Sequence, residues 1–355
     1  MHPELSTGLA ALSLLNLVGA VPSCQSGQWE DLASIPTPRQ EHGTTAIGNT
    51  TIAILGGIVP TNGSTTTTDL LQLYDIDSNT WKTVSPAPYK VNHPNIAAVH
   101  DKLYLLGGLA PGPVSTDVTM NWVASKLCYA YDVETDTWTQ LASMPSGMER
   151  GSAIVGVQGE MIYLAGGMTV LMTGYQDAVD SVISFNTTSG KWQRLVVAAA
   201  ELPESRQHGA GSVVGDTFYV VGGRRYNQTN YRDTVFKLDL ANQEAGWETS
   251  TGHMPTARGG INGGAVGSTF YVFGGEGNPD STTGVFNQTE AFDTVTQAWT
   301  ELETMQVPRH GTQAAAANGR IYIPGGGLQQ DGKVVTVDGV TTYQNPTAHF
   351  DAYCA

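Results

Sequence analysis

The sequence predicts an all-β chain of six equivalent units closed into a ring, and three observations carry that prediction. The first is a β-branched and aromatic run ending in two adjacent glycines, which occurs six times: Ile52–Gly57, Leu103–Gly108, Ile162–Gly167, Phe218–Gly223, Phe270–Gly275 and Ile321–Gly326. Copies stand about 54 residues apart, a period that belongs to repeat architectures rather than to a sequence of independent domains. The second is a tryptophan that follows five of the six doublets: Trp81, Trp138, Trp192, Trp247 and Trp299. The third is the exception. No tryptophan follows the sixth doublet, and Trp29 stands before the first, so the pattern is circular and its last piece lies at the N-terminus.

A strand ending in Gly-Gly, a later Trp and this period together resemble the kelch repeat. The resemblance covers roughly residues 25 to 355. It implies a six-bladed kelch β-propeller of four-stranded antiparallel blades, its ring closed by an N-terminal strand that completes the last blade. It implies little about activity, because this fold hosts many.

Taken in order, Gln28 to Ser34 reads as the closure strand, outermost in the final blade, which removes a free sheet edge. Blade 1 runs from His42 through its doublet, a polar loop from Ile58 to Asp69, a strand from Leu70 to Tyr74, and an outer strand around Trp81. Blade 2 starts near His93 and carries the longest loop, Leu109 to Ser125. Blade 3 starts near Arg150 and has an unusually apolar loop, Met168 to Asp180. Blade 4 begins at His208, with Arg224-Arg225-Tyr226 directly after its doublet, and blade 5 at Arg258-Gly259-Gly260, with Glu276 in the matching place. Blade 6 opens at Arg309-His310-Gly311, inserts Leu328 to Asn345, and ends in a strand from Thr347 to Tyr353. Period-two alternation with Gly, Pro, Asn and Asp punctuation predicts no helix of consequence.

Residues 1–20 read as a signal peptide: an apolar core from Leu9 to Val18 and small residues at Val18 and Ala20, too short to span a bilayer, although no Lys or Arg precedes the core. Residues 21–355 then form one propeller, with 21–35 as the closure segment of blade 6. Five N-x-S/T sequons at Asn49, Asn62, Asn186, Asn227 and Asn287 support a secretory route and N-glycans, hence a secreted, extracellular or vesicular-lumen protein. Three cysteines fit an oxidising compartment. If the N-terminal segment supplies the last outer strand, Cys24 and Cys354 become neighbours and a disulfide between them locks the ring, a constraint of roughly 4 to 5 kcal/mol in the chain-entropy model. Cys128, within a strand-like run, reads as a buried free thiol.

The chain carries 17 basic and 32 acidic residues, a net charge of -15 with no Lys/Arg cluster. Nucleic acid and anionic membranes are therefore poor partners. No G-x-S-x-G elbow, H-E-x-x-H, P-loop or helix-opening G-x-G-x-x-G is present.

In such a blade the loop entering the inner strand and the loop after the doublet emerge on one face, around the channel mouth, where a small-molecule pocket is expected. The residues opening the inner strands are His42, His93, Arg150, His208, Gly259-Gly260 and His310, four of the eight histidines in equivalent places. They either hydrogen-bond neighbouring backbone or contact a ligand. Metal ligation is disfavoured, because side chains of separate blades sit across a channel and no HxH or HxxE supplies a second ligand. Met120, Trp122, Met168, Met172, Tyr175, Tyr226 and Phe286 add an apolar wall to that face, or else pack the loops on one another.

Flanking domains and a Tyr-Cys radical site mark the kelch copper oxidases, and an E-x-x-x-D-x-x-x-H pattern the plant specifier proteins; neither is found here. A secreted acidic ring of this kind is similar to the fungal hetero-Diels-Alderases of tropolone-sesquiterpenoid pathways. That resemblance implies a cofactor-free pericyclase joining a tropolone o-quinone methide to humulene, a hydrophobic small molecule. His310, His208, Arg150 and Arg224 would be catalytic, and His42, His93 and the apolar wall would bind substrate. Two alternatives stay open: a mutarotase-like sugar enzyme using Glu276 with Arg224, and a non-enzymatic glycan- or protein-binding module.

Overall fold

In the computed structural model, residues 24–61, 64–113, 121–330, 335–337, 340–342 and 346–355 are described. Six antiparallel four-strand blades follow one another around the ring. Their inner strands are Gly43–Ile47, Ile96–Val99, Ile154–Gln158, Ala210–Val214, Asn262–Val266 and Ala315–Ala317. The outermost are Thr80–Thr83, Thr137–Gln140, Lys191–Arg194, Trp247–Thr249 and Trp299–Glu301 for blades 1 to 5, and Trp29–Asp31 for blade 6. Trp29 pairs with Tyr353 and Asp31 with Asp351, so the N-terminal strand closes the ring as the circular pattern requires. Cys24 and Cys354 form a disulfide beside this seam, Cα to Cα 5.7 Å.

The apolar core lies between blades rather than within any one of them. The doublet strands supply it: Leu106 of blade 2 packs with Ile162 and Leu164 of blade 3, and Phe218 and Val220 of blade 4 with Ile154 and Ala165 of blade 3. Burying branched and aromatic side chains from both neighbours is what makes a lone blade unstable and the ring cooperative. Cys128 is buried in this layer, where burial pushes its thiol up to about 12, as an inert residue requires.

The glycine doublets are explained by how closely the blades approach. The second glycine of every doublet donates its N–H to the carbonyl of the residue that leads into the next blade: Gly57 to Val91, Gly108 to Arg150, Gly167 to Arg206, Gly223 to Arg258, Gly275 to Arg309 and Gly326 to Arg39, at 2.7 to 3.0 Å. In every doublet but Gly222–Gly223 the first glycine lies under the same carbonyl. At Gly166, φ is +63° and a Cβ would stand 2.2 Å from the Arg206 oxygen, which no side chain survives. The repeat tryptophans make a second tie at the periphery: the indole N–H of Trp29, Trp81, Trp138, Trp192 and Trp247 donates to a carbonyl of the preceding blade's edge or linker.

Four segments expected as loops are partly strand. Ile58–Thr61 and Ser64–Thr67 pair as a hairpin, and Val335–Val337 pairs with Val340–Thr342 inside the blade 6 insertion. In blade 2 the strands run on through much of Leu109 to Ser125, as Lys102–Pro111 and Asn121–Asp132. The apolar loop of blade 3 also becomes a hairpin, Val170–Met172 with Tyr175–Gln176, and its first strand adds to the edge of Asn121–Asp132. Its apolar residues are accounted for by this pairing across two blades. The only helical pieces among the described residues are two 3₁₀ turns, Val197–Ala199 and Gln243–Ala245.

Candidate functional site

Every blade enters its inner strand by the same three-residue step, and the step decides where each side chain goes. The first residue is Arg39, Val91, Arg150, Arg206, Arg258 or Arg309, whose carbonyl receives the doublet N–H. The second is Gln40, Asn92, Gly151, Gln207, Gly259 or His310, bridged to the residue just past the doublet: Ile58, Leu109, Met168, Arg224, Glu276 or Gly327. The third is Glu41, His93, Ser152, His208, Gly260 or Gly311, all left-handed with φ between 47° and 62°. Four of these six carry side chains in a conformation that costs energy outside glycine, a feature that clusters at functional sites.

These third residues close the channel with a circle of hydrogen bonds. The N–H of Glu41 donates to Gly311, His93 to Glu41, Ser152 to His93, Gly260 to His208 and Gly311 to Gly260, each to a backbone carbonyl. His208 completes the circle by donating to the Ser152 Oγ at 3.2 Å. The left-handed turn aims the side chains of this throat inward, at the axis.

There they meet. His93 Nε2 lies 2.9 Å from Glu41 Oε2 and 3.1 Å from His208 Nε2, and Glu41 Oε2 lies 3.9 Å from His208 Nε2. His93 Nδ1 is 2.7 Å from the Asn92 Oδ1, and His208 Nδ1 bonds the Gln207 Oε1. Beside them Arg224 pairs with Glu276 Oε1, and His310 Nδ1 stands 3.7 Å from Glu276 Oε2 while its Nε2 meets the Gln329 carbonyl at 2.8 Å. All of these side chains are buried. Arg224 Nε and Glu276 Oε2 have no hydrogen-bond partner among the described residues, an expensive state for an ion pair. Burial opposes ionisation of Glu41, but His93, by charge and hydrogen bond, together with His310 and Arg224, outweighs it and holds the carboxyl down at about 2. Burial, Arg224 and the other histidines push His208 well below the ordinary imidazole range, so it is neutral.

A void of about 30 Å³ adjoins Glu41, His93, Ser152 and His208. Beyond it the channel opens into a cavity of about 370 Å³ along the inner strands, lined by small residues such as Ala98, Gly156, Ser212, Asn262 and Ala316. The pocket therefore lies on the inner-strand side of the throat. Among the described residues the loop side, where it was expected, is packed over blades 1 to 3: Ile58, Leu109, Trp122, Met168 and Leu171 form a buried apolar cluster, with the Trp122 ring 6.0 Å from that of His93.

The strand-opening residues are thus not equivalent, because they stand at different steps of this turn. His93 and His208 share the throat position, His310 lies one residue earlier and His42 one residue later. His42 turns away, its Nε2 3.0 Å from the Pro324 carbonyl, with burial and Arg39 lowering its pKa to about 3. Arg150 also leaves the candidate set: its guanidinium donates to the Met148, Gly166 and Ser181 carbonyls and the Ser181 hydroxyl in its own blade. Arg39, Arg206, Arg258 and Arg309 do the same work in theirs, and in blade 2 the Tyr89 hydroxyl takes the place of the missing guanidinium by donating to Gly107 at 3.0 Å.

Of the expected wall, Trp122 and Met168 back the throat from the far side, Met172 is half-buried in the hairpin, and Tyr175 and Tyr226 are exposed. Phe286 packs under the Arg258 guanidinium instead. Met120 and Asn62 lie outside the described residues, as do residues 1–23. Asn49 is exposed in a turn, whereas Asn186, Asn227 and Asn287 are half-buried, with Asn186 Nδ2 against the Met161 sulfur. Glu41, Asn92 and Gln207 were missed. Aligning on the repeated arginine, two residues before the throat in five blades, would have found Glu41 and His208 together.

A family model for the KLHDC2/KLHL20/DRC7 Kelch-repeats domain matches residues 20–223 and 169–344. The chain belongs to the kelch-repeat family. It is 36% identical to the Kelch-like protein terF of Aspergillus terreus over 98% of this chain and 74% of that protein. Similarity to human Kelch-like protein 38 (26% identity) covers 66% of this chain and 35% of that protein, and similarity to alpha-scruin of Limulus polyphemus (26%) covers 63% and 23%. The fungal relative is thus matched along nearly the whole kelch chain, and the animal ones over part of their length.

Proposed function

We propose that this kelch propeller is a secreted small-molecule enzyme whose substrate lies in the channel with its reacting oxygen at the throat. The observation that carries this reading is the buried Glu41–His93–His208 group at the closed end of a 370 Å³ cavity, a size suited to a single organic ligand. The reaction class is a hetero-Diels-Alder cycloaddition of a tropolone o-quinone methide with a humulene-type alkene. Support comes from the sequence resemblance and from the match to a fungal kelch-like protein along nearly the whole chain. The throat group of Glu41, His93 and His208 assists loss of water from a tropolone alcohol. A donor at the throat, with Arg224 and His310 behind it, then stabilises negative charge developing on the quinone methide oxygen, a contribution of about 3 kcal/mol. Confinement in the channel supplies the entropic part. The Cys24–Cys354 disulfide supports an oxidising compartment, and no helix among the described residues is long and apolar enough to cross a membrane.

The test is a product profile by liquid chromatography and mass spectrometry with humulene and a quinone-methide precursor. Enzyme-dependent, stereochemically single adducts support the reading, and a profile identical to the protein-free control overturns it. One observation favours a second reading: the buried Arg224–Glu276 pair, with Glu276 Oε2 unpartnered, is the carboxylate-and-arginine arrangement a sugar mutarotase would use. Turnover of free sugars would support that instead.

A further inference from the structure

We propose that Glu41, His93 and His208 bind one divalent transition-metal ion of the zinc class at the throat. The inference stands on geometry alone and does not rest on the proposed reaction.

Three features point to it. First, the ligand atoms of the three residues all lie within 4.8 Å of one another. Two donors held about 2.0–2.2 Å from a tetrahedral ion stand about 3.3–3.6 Å apart, and the three separations at the throat, 2.9, 3.1 and 3.9 Å, fall on either side of that range. The expectation that side chains of separate blades cannot converge fails here, because the left-handed turn carries them to the axis.

Second, both imidazoles are oriented from behind. The amide nitrogen of Asn92 is committed to the Thr67 Oγ1 at 2.9 Å and that of Gln207 to the Gln176 Oε1 at 3.2 Å. The amide oxygens of Asn92 and Gln207 are therefore the atoms that face the two Nδ1 positions, and each Nδ1 is a donor. That leaves each Nε2 as the ring nitrogen turned to the axis, where an ion would replace the hydrogen bond between His93 Nε2 and Glu41, and the amides behind are the outer-shell arrangement that orients a ligand. The two Nε2 atoms face each other at 3.1 Å, a separation at which they share a proton or a cation.

Third, the throat buries two carboxylates, Glu41 and Glu276, beside one guanidinium, Arg224. Buried charge needs compensation. Two histidines and a carboxylate from three blades leave open coordination positions toward the 30 Å³ void, and the 370 Å³ channel is the entry path.

The test uses the tag-free full chain, stripped with chelator and titrated with ZnCl₂ by calorimetry. Wild type is expected to take up about one zinc per chain with a melting temperature that rises with zinc concentration. His208→Gln and Glu41→Gln are expected to lose both effects, and Gln207→Ala, which touches no metal, to weaken binding by about 10 to 100-fold. The exposed pairs His100–Glu160 and His253–Asp233 remain in every variant, so a loss reports the throat. Should a ligand variant not fold, Co²⁺ added to wild type is expected to give visible bands that Zn²⁺ displaces. A wild type that binds no zinc, or ligand variants that keep full stoichiometry, would overturn the proposal and assign the charge to a proton shared by the two histidines. Since uptake is read without turnover, that result leaves the proposed reaction standing.

Discussion

His93 and His208 are 115 positions apart in the chain, yet their Nε2 atoms face each other at 3.1 Å across the channel axis. Blades 2 and 4 each contribute one, and Glu41 of blade 1 joins them through the same left-handed step. A rigid ring brings the three together because a circle of hydrogen bonds between all six blades fixes the throat. Side chains placed by such a scaffold lose little further entropy when they act.

The neighbouring Arg224–Glu276 pair is expected to be costly to break by halves. Replacing Arg224 with Met leaves Glu276 buried without its partner and is expected to destabilise by about 3–5 kcal/mol. Replacing both with apolar residues is expected to cost much less. Urea unfolding of the single and double variants checks this, and additive losses would mean that the two side chains do not interact.

Gly166 and Gly159 separate backbone conformation from blade contact. Both have positive φ, but a Cβ at Gly159 meets nothing within 4 Å, while one at Gly166 meets the Arg206 oxygen at 2.2 Å. Gly159→Ala is expected to cost about 1–2 kcal/mol, and Gly166→Ala about 1–3 kcal/mol more. Equal losses in thermal unfolding would contradict the reading of the doublets as contact points between blades.

The fold was legible because its marks are stereochemical. Only glycine tolerates the approach at Gly166, and only a large ring with an N–H makes the Trp29 or Trp81 tie, so both recur at a fixed spacing. The site was half legible. His93, His208, Arg224, Glu276 and His310 were singled out, but with Arg150 and His42 counted as their equals. The throat turn reads as Arg-Gln-Glu, Arg-Gly-Ser, Arg-Gln-His, Arg-Gly-Gly and Arg-His-Gly, and blade 2 replaces the arginine with Val91. A histidine one place early or late looks alike in sequence, yet a residue's direction changes at each step. Which loops are sealed was not legible at all, since the pairing of Val170–Met172 with Asn121–Asp132 joins two blades through residues that separately read as loop.

Acid is expected to loosen the outer turns. Asp75, Asp132 and Asp293 accept hydrogen bonds from residues two or three positions on, Ser78, Thr135 and Thr296 foremost, which hold each carboxyl below its ordinary value. A depressed folded-state pKa gives stability that is complete above the unfolded value near 3.8 and lost as pH falls through the lowered folded value. Asn186 makes the equivalent bond to Ser189 in blade 3 without a charge. The triple Asp→Asn variant should therefore melt at a temperature less dependent on pH between about 4 and 2. An unchanged slope would contradict the assignment.

The ring seam depends on Cys24 and Cys354, which close a span of 330 residues. Cys24→Ser with Cys354→Ser is expected to lower stability by up to about 6 kcal/mol in the chain-entropy model. Hydrogen exchange should show the loss first in Trp29–Asp31 and Phe350–Cys354. Protection lost evenly around the ring would argue against a local seam.

The most direct test of the throat as the working site compares two variants for the rate of forming the single adduct. Glu41→Gln alters the throat, and the double variant Tyr175→Ala, Tyr226→Ala alters the exposed loop rim. The account predicts a fall of about 100-fold or more for the first and a rate indistinguishable from wild type for the second. A rim variant that loses activity while Glu41→Gln retains it would contradict the account and return the site to the loop face.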